Sequence, residues 1–247
     1  MSAPTTGISL TKRTENAENA LVNLLKTELD KGNDLGEITA QIILAIDFSY
    51  SMSERYRNRE VQELVERALA LALAGLDDDG EIQVFFFDDR SYKPITVNAS
   101  NYTTVVDDFV RTHSMGGTDY LPTIRDILKL TTTGTGMLKK GKAMAHPDNP
   151  PVFVLFITDG QTGNQDQIRH AIYTSADKSV FWQFLGLGYV PAFLEELDQM
   201  QGRFLDNANV ADCNDSKALS DEAFYKLVTQ EFFPKYLPAA RAKGILK

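Results

Sequence analysis

Four short apolar runs punctuate the chain, at 41–46 (QIILAI), 82–87 (IQVFFF), 152–157 (VFVLFI) and 179–185 (SVFWQFL). Runs of this length, apolar with little alternation, read as strands covered on both faces, as in a parallel sheet. Between them the apolar spacing changes to threes and fours, the period of a helix. Ala17, Ala20, Leu21, Leu24 and Leu25 share one face of a helix over 14–29. Val61, Leu64, Val65, Ala68, Leu69, Ala72, Leu73 and Leu76 mark a long helix over 54–76. Shorter helices are predicted over 101–112, 121–130, 164–176, 192–200 and 220–233, the last with Ser220 as its N-cap. Residues 92–97 read as an antiparallel edge strand, where Pro94 is tolerated, and 203–205 as a last short strand. Ile8 and Leu10 alternate with polar neighbours in a flexible or strand-like leader.

Strands alternating with helices predict an α/β fold: a doubly wound, mostly parallel sheet with one antiparallel edge strand and helices on both faces. The predicted division is a leader and helix over 1–36, a domain over 37–237 and a tail over 238–247. Residues 131–151 form the longest irregular stretch, and it is basic in an acidic protein.

Composition narrows the function. With 247 residues, one large domain is favoured over two. A net charge of -9 argues against nucleic acid or an anionic membrane as the main partner. The single cysteine, Cys213, excludes an internal disulfide and points to a reducing, cytoplasmic compartment. The apolar runs are too short to span a bilayer. Three scattered histidines argue against a histidine zinc site.

The candidate chemistry lies where strands end. The first strand runs into Asp47-Phe48-Ser49-Tyr50-Ser51, the third into Thr158-Asp159-Gly160, and His113-Ser114-Met115-Gly116-Gly117-Thr118-Asp119 comes between them. In open α/β sheets ligands bind beyond the carboxyl ends of the strands, where the strand order reverses. Strands ending at Asp47 and Asp159 would flank such a crevice. Asp47, Ser49, Ser51, Thr118 and Asp159 would then bring two carboxylates and three hydroxyls to one point. Hard oxygens suit Mg²⁺, with Ca²⁺ or Mn²⁺ as alternatives. A polar strand-to-helix loop with local capping is the plainer alternative for the first motif. The acidic turn at 77–80 lacks the alternate-position ligand spacing of an EF-hand loop and reads as solvated.

These three motifs resemble the metal-ion-dependent adhesion site of the von Willebrand factor type A (vWA) domain, a Rossmann-like fold. The resemblance covers about residues 37–237 and implies that the serines and the threonine ligate the metal directly. It implies that the aspartates ligate directly or through water, and that an acidic residue of a partner protein takes the open position. The leader GISLTK, GGTDYLP, VLFITDG and the tail EFFPKYLPAARAKGIL are similar to the bacterial tellurium (toxic-cation) resistance group of these domains. That group is cytoplasmic and associated with stress response and phage defence.

The function expected is therefore a non-enzymatic, metal-dependent protein-binding module. A metal-dependent phosphoester hydrolase is the first alternative, but the position two after Asp47 holds Ser49 where such chemistry wants a second aspartate. No GxxxxGK[ST] loop or GxSxG elbow is present. A structural subunit of a larger assembly is the second alternative.

Overall fold

The computed structural model describes residues 8–32, 39–77, 79–133, 145–146 and 148–247. The chain opens with α1 (Leu10–Asp30), β1 (Gln41–Asp47), α2 (Ser53–Arg57) and α3 (Glu60–Leu71). It continues with β2 (Ile82–Phe87), β3 (Ile95–Val97), α4 (Val105–Thr112), α5 (Leu121–Thr133) and β4 (Val152–Thr158). Then come α6 (Gln165–Thr174), β5 (Val180–Leu187), α7 (Ala192–Asp198), β6 (Ala208–Cys213), α8 (Asp221–Thr229) and α9 (Leu237–Ala242).

The six strands lie in the order β3-β2-β1-β4-β5-β6. All neighbours are parallel except β2 and β3, which pair antiparallel. The order reverses between β1 and β4, whose register runs from Gln41↔Val152 to Ile46↔Ile157. Asp47 and Thr158 therefore leave the sheet at one level, at the switch point.

Successive side chains of a strand point to opposite faces, and β1 divides its residues accordingly. Ile42, Leu44 and Ile46 join one core layer with residues of α1, α3, α4, α8 and α9. Ile43 and Ala45 join the other with residues of α5, α6 and α7. Both faces of the sheet are thus covered, which is why its central runs could be apolar throughout.

Four boundaries differ from the sequence expectations. First, the helix expected from residue 14 starts earlier: Ser9 caps α1 by accepting from Lys12 N–H at 3.2 Å, so the helix already includes Leu10, while residues 1–7 of the leader lie outside the described residues. Second, the long helix over 54–76 is broken. Arg59 adopts φ 67° between α2 and α3, and Gly75 adopts φ 93° in the kinked segment Ala72–Leu76. Third, the last strand is at Ala208–Cys213 and not at 203–205. Arg203 is held in a loop by the carbonyls of Asp198 and Met200, and Phe204 is half-exposed. The true strand is small and hard to read, with Asn209 and Asp212 among alanines, a valine and a cysteine; Asn209 pairs with Gln183 and donates to its side chain at 2.9 Å. Fourth, the predicted tail over 238–247 packs on the domain, with Ala240, Ile245 and Leu246 buried in the first core layer. The domain start at residue 37 and most of the basic stretch, 134–144 and 147, lie outside the described residues.

A buried ionic seam fastens α1 to this layer. Asp221 Oδ1 receives Arg13 at 2.6 Å and Arg67 at 2.9 Å, and Arg67 also donates to the carbonyls of Ser216 and Leu219. Ser216 donates to Glu60 at 2.5 Å, and Arg55 donates to the other oxygen of that carboxylate at 2.9 Å.

Candidate metal centre

Asp47 ends β1 with its side chain fully buried. Its Oδ1 accepts the Ser49 N–H at 2.7 Å, and its Oδ2 accepts the Thr158 hydroxyl at 2.6 Å. Burial pushes this carboxyl up to about 6; the bonds from Ser49 and Thr158 pull it back, and nearby Asp159 raises it further. Ser49 and Ser51 stand with their hydroxyls 3.0 Å apart, and Ser51 donates to Asp159 Oδ1 at 2.7 Å. Four of the five candidate residues therefore form one hydrogen-bonded string across two loops.

The residues between them anchor the loop. Phe48 is buried and meets the rings of Tyr56 and Phe109 edge to face. Tyr56 donates to the Asp47 carbonyl at 2.9 Å. Met52 is buried, whereas Tyr50, between the two serines, is 78% exposed.

Thr118 arrives from the third loop. Ser49 bridges to Gly116, and the Tyr50 N–H donates to the Gly116 carbonyl at 3.1 Å. A Cβ placed on Gly160 would stand 3.3 Å from Thr118 Oγ1 and 3.8 Å from Asp47 Oδ2. One small space thus touches all three loops, and it stays open because residue 160 has no side chain. Asp119 serves another purpose: it accepts Leu121 N–H at the start of α5 and the Asn164 amide.

Two residues of the site were not singled out from the sequence. Thr158 holds the Asp47 carboxylate, and its oxygen accepts Gly160 N–H at 3.2 Å. Tyr120, fully buried, lies 3.4 Å from that hydroxyl and donates to the Gly160 carbonyl; burial holds its phenol well above the usual range. The signal for Thr158 was its place one residue before Asp159, but its use depends on the register between β1 and β4.

The donor chemistry fits a hard divalent cation. The set offers two carboxylates and three hydroxyls, and no ion pair joins Asp47 or Asp159 to a lysine, arginine or histidine among the described residues. Also among the described residues, no three histidine, cysteine or acidic side chains gather as a soft or all-carboxylate metal site would require.

Comparison with known proteins agrees with this architecture. Residues 39–246 match the family vWA-TerF-like, described as the vWA found in the TerF C terminus. The chain is 33% identical over 228 residues to the uncharacterized protein YcbR of Bacillus subtilis (strain 168), covering 90% of this chain and 87% of that one. Among solved structures it resembles the SpRpn10 VWA domain, with a TM-score of 0.52 at 9% identity over 78% of this chain and 95% of that one. It also resembles the pilus adhesin SpaC from Lactobacillus rhamnosus GG, at a TM-score of 0.51 and 12% identity over 81% of this chain and 31% of that one. Among the described residues no helix is long and apolar enough to cross a membrane. The chain belongs to the vWA-TerF-like family: its fold is that of a von Willebrand factor type A domain, of the group linked to tellurium resistance.

Proposed function

We propose that this domain binds one divalent cation through Asp47, Ser49, Ser51, Thr118 and Asp159, and through it an acidic side chain of a protein partner. The reading rests on one observation above all: two carboxylates and two serine hydroxyls are strung together at the switch point, and among the described residues no lysine, arginine or histidine pairs with them. When bound, the cation supplies positive charge and at least one coordination position that the protein leaves to another ligand. The chain's own residues do the rest. Thr158 and the Ser49 N–H orient the Asp47 carboxylate, Ser51 orients Asp159, and Gly160 keeps space beside Thr118. Mg²⁺ is the favoured ion, with Ca²⁺ or Mn²⁺ as alternatives. The proposed role is non-enzymatic binding; against the phosphoester-hydrolase alternative stands Ser49, where that chemistry wants a second aspartate two residues after Asp47. Family membership supports a role in a cytoplasmic tellurium-resistance, stress-response or phage-defence system.

The test is calorimetry of EDTA-stripped protein with MgCl₂, CaCl₂ and MnCl₂, followed by pull-downs from the native host with Mg²⁺ or EDTA. The expected result is one site per chain, absent in Asp47→Ala, and a partner retained only with metal. Partner capture that persists in EDTA and in Asp47→Ala defeats the reading.

A further inference from the structure

Residues 88–91 are the first part of the connection between β2 and β3. In the fold it is a fourth loop at the carboxyl end of the sheet, directly beneath two of the other three. Asp88 follows β2 and its side chain is fully buried. Its Oδ1 accepts Arg90 N–H at 3.0 Å, and its Oδ2 accepts the Tyr92 hydroxyl at 2.8 Å. Gly116 rests on this carboxylate: a Cβ there would come within 2.7 Å of Asp88 Oδ2 and 2.9 Å of its Cγ. The Asp88 carbonyl accepts Asp119 N–H at 2.8 Å. Asp88 therefore touches the 116–119 segment at both ends, and Thr118 lies between them.

Tyr92 extends the support sideways. Its ring meets Phe48 edge to face at 6.3 Å and His113 at 4.9 Å. One phenol thus contacts the loop carrying Ser49 and Ser51 and the start of the loop carrying Thr118. The Asp88–Tyr92 bond is a strut between a buried carboxylate and the ring that both loops lean on.

We infer that Asp88 and Tyr92 are positioning residues for the cation site, setting where Thr118 stands relative to Ser49 without touching the ion. This rests on the metal-binding reading above. Residues that orient metal ligands cost about 10–100-fold in affinity when removed. Mg²⁺ demands near-ideal octahedral geometry, whereas Ca²⁺ accepts irregular shells. A loosened Thr118 loop must then weaken Mg²⁺ more than Ca²⁺. Loss of general stability would lower both alike.

The test titrates the full chain with MgCl₂ and with CaCl₂, comparing wild type with Tyr92→Phe and Asp88→Ala. Tyr92→Phe deletes only the hydroxyl and keeps every ring contact, so it carries the test should Asp88→Ala fail to fold. The expected result is about a ten-fold loss of Mg²⁺ affinity in Tyr92→Phe, a smaller loss for Ca²⁺, and a lowered Mg²⁺/Ca²⁺ ratio. Unchanged affinities, or equal losses for both ions, overturn the inference while leaving the site itself intact. No binding of either ion by wild type instead defeats the metal reading on which it stands.

Discussion

Asp221 and Asp47 are both buried carboxylates, and the protein treats them in opposite ways. Asp221 sits between the guanidinium groups of Arg13 and Arg67 and accepts a third bond from Asn16. Asp47 accepts one backbone N–H and one hydroxyl, with another carboxylate nearby. The first region is neutralised from within and joins three helices. The second has no arginine, lysine or histidine paired with it among the described residues, and it lies where the loops after β1 and β4 meet. Taking a charge out of water is costly unless it is paired. The fold supplies arginines to one buried carboxylate and, among the described residues, none to the other.

The contrast can be broken most decisively at Asp221. Asp221→Ala leaves Arg13 and Arg67 buried without their shared partner, and it is expected to cost about 3–5 kcal/mol in urea denaturation. A loss below about 1 kcal/mol would mean that the seam adds little beyond packing. The next effect sharpens the other end. MgCl₂ at 100 times its dissociation constant is expected to stabilise wild type by about 2.7 kcal/mol, reversed by EDTA. A stabilisation that survives in Asp47→Asn would move the ion elsewhere.

Asp47→Asn in metal-free protein should change stability by no more than about 1 kcal/mol, since it removes a buried charge while keeping the shape. A loss as large as that of Asp221→Ala would erase the distinction between the two regions. The smallest change expected is for Gly160→Ala. Its Cβ fills the space beside Thr118 Oγ1, so Mg²⁺ affinity should fall, while the urea midpoint moves by no more than about 0.5 kcal/mol. Unaltered affinity would show that the space is not the ion's.

The sequence reading succeeded where one physical signal dominated. QIILAI and VFVLFI are apolar on both faces because helices cover both, and each carries its carboxylate at or just past its end. The Ser49–Ser51 spacing identified two hydroxyls that the fold does bring together. It failed where meaning depends on pairing. The apolar side chains that β6 buries are small, Ala208, Ala211 and Cys213, and it adds an asparagine–glutamine contact with β5, so it lacks the long apolar run of the central strands. Thr158 matters through its register against Asp47, and Asp88 because Gly116 lies over it. Neither relation is local in sequence. The break at Arg59 was hidden for a different reason: the apolar repeat that marked the helix begins at Val61, beyond the break, and says nothing about the residues before it.

Cys213, the chain's one cysteine, is 2% exposed, and burial pushes its thiol up to about 11. Maleimide and iodoacetamide reagents attack thiolates within reach of solvent. The wild-type background is therefore silent to them without any cysteine being removed. A Tyr50→Cys variant would place a single reactive handle between Ser49 and Ser51, where an environment-sensitive fluorophore could report both ion occupancy and arrival of a binding partner in real time.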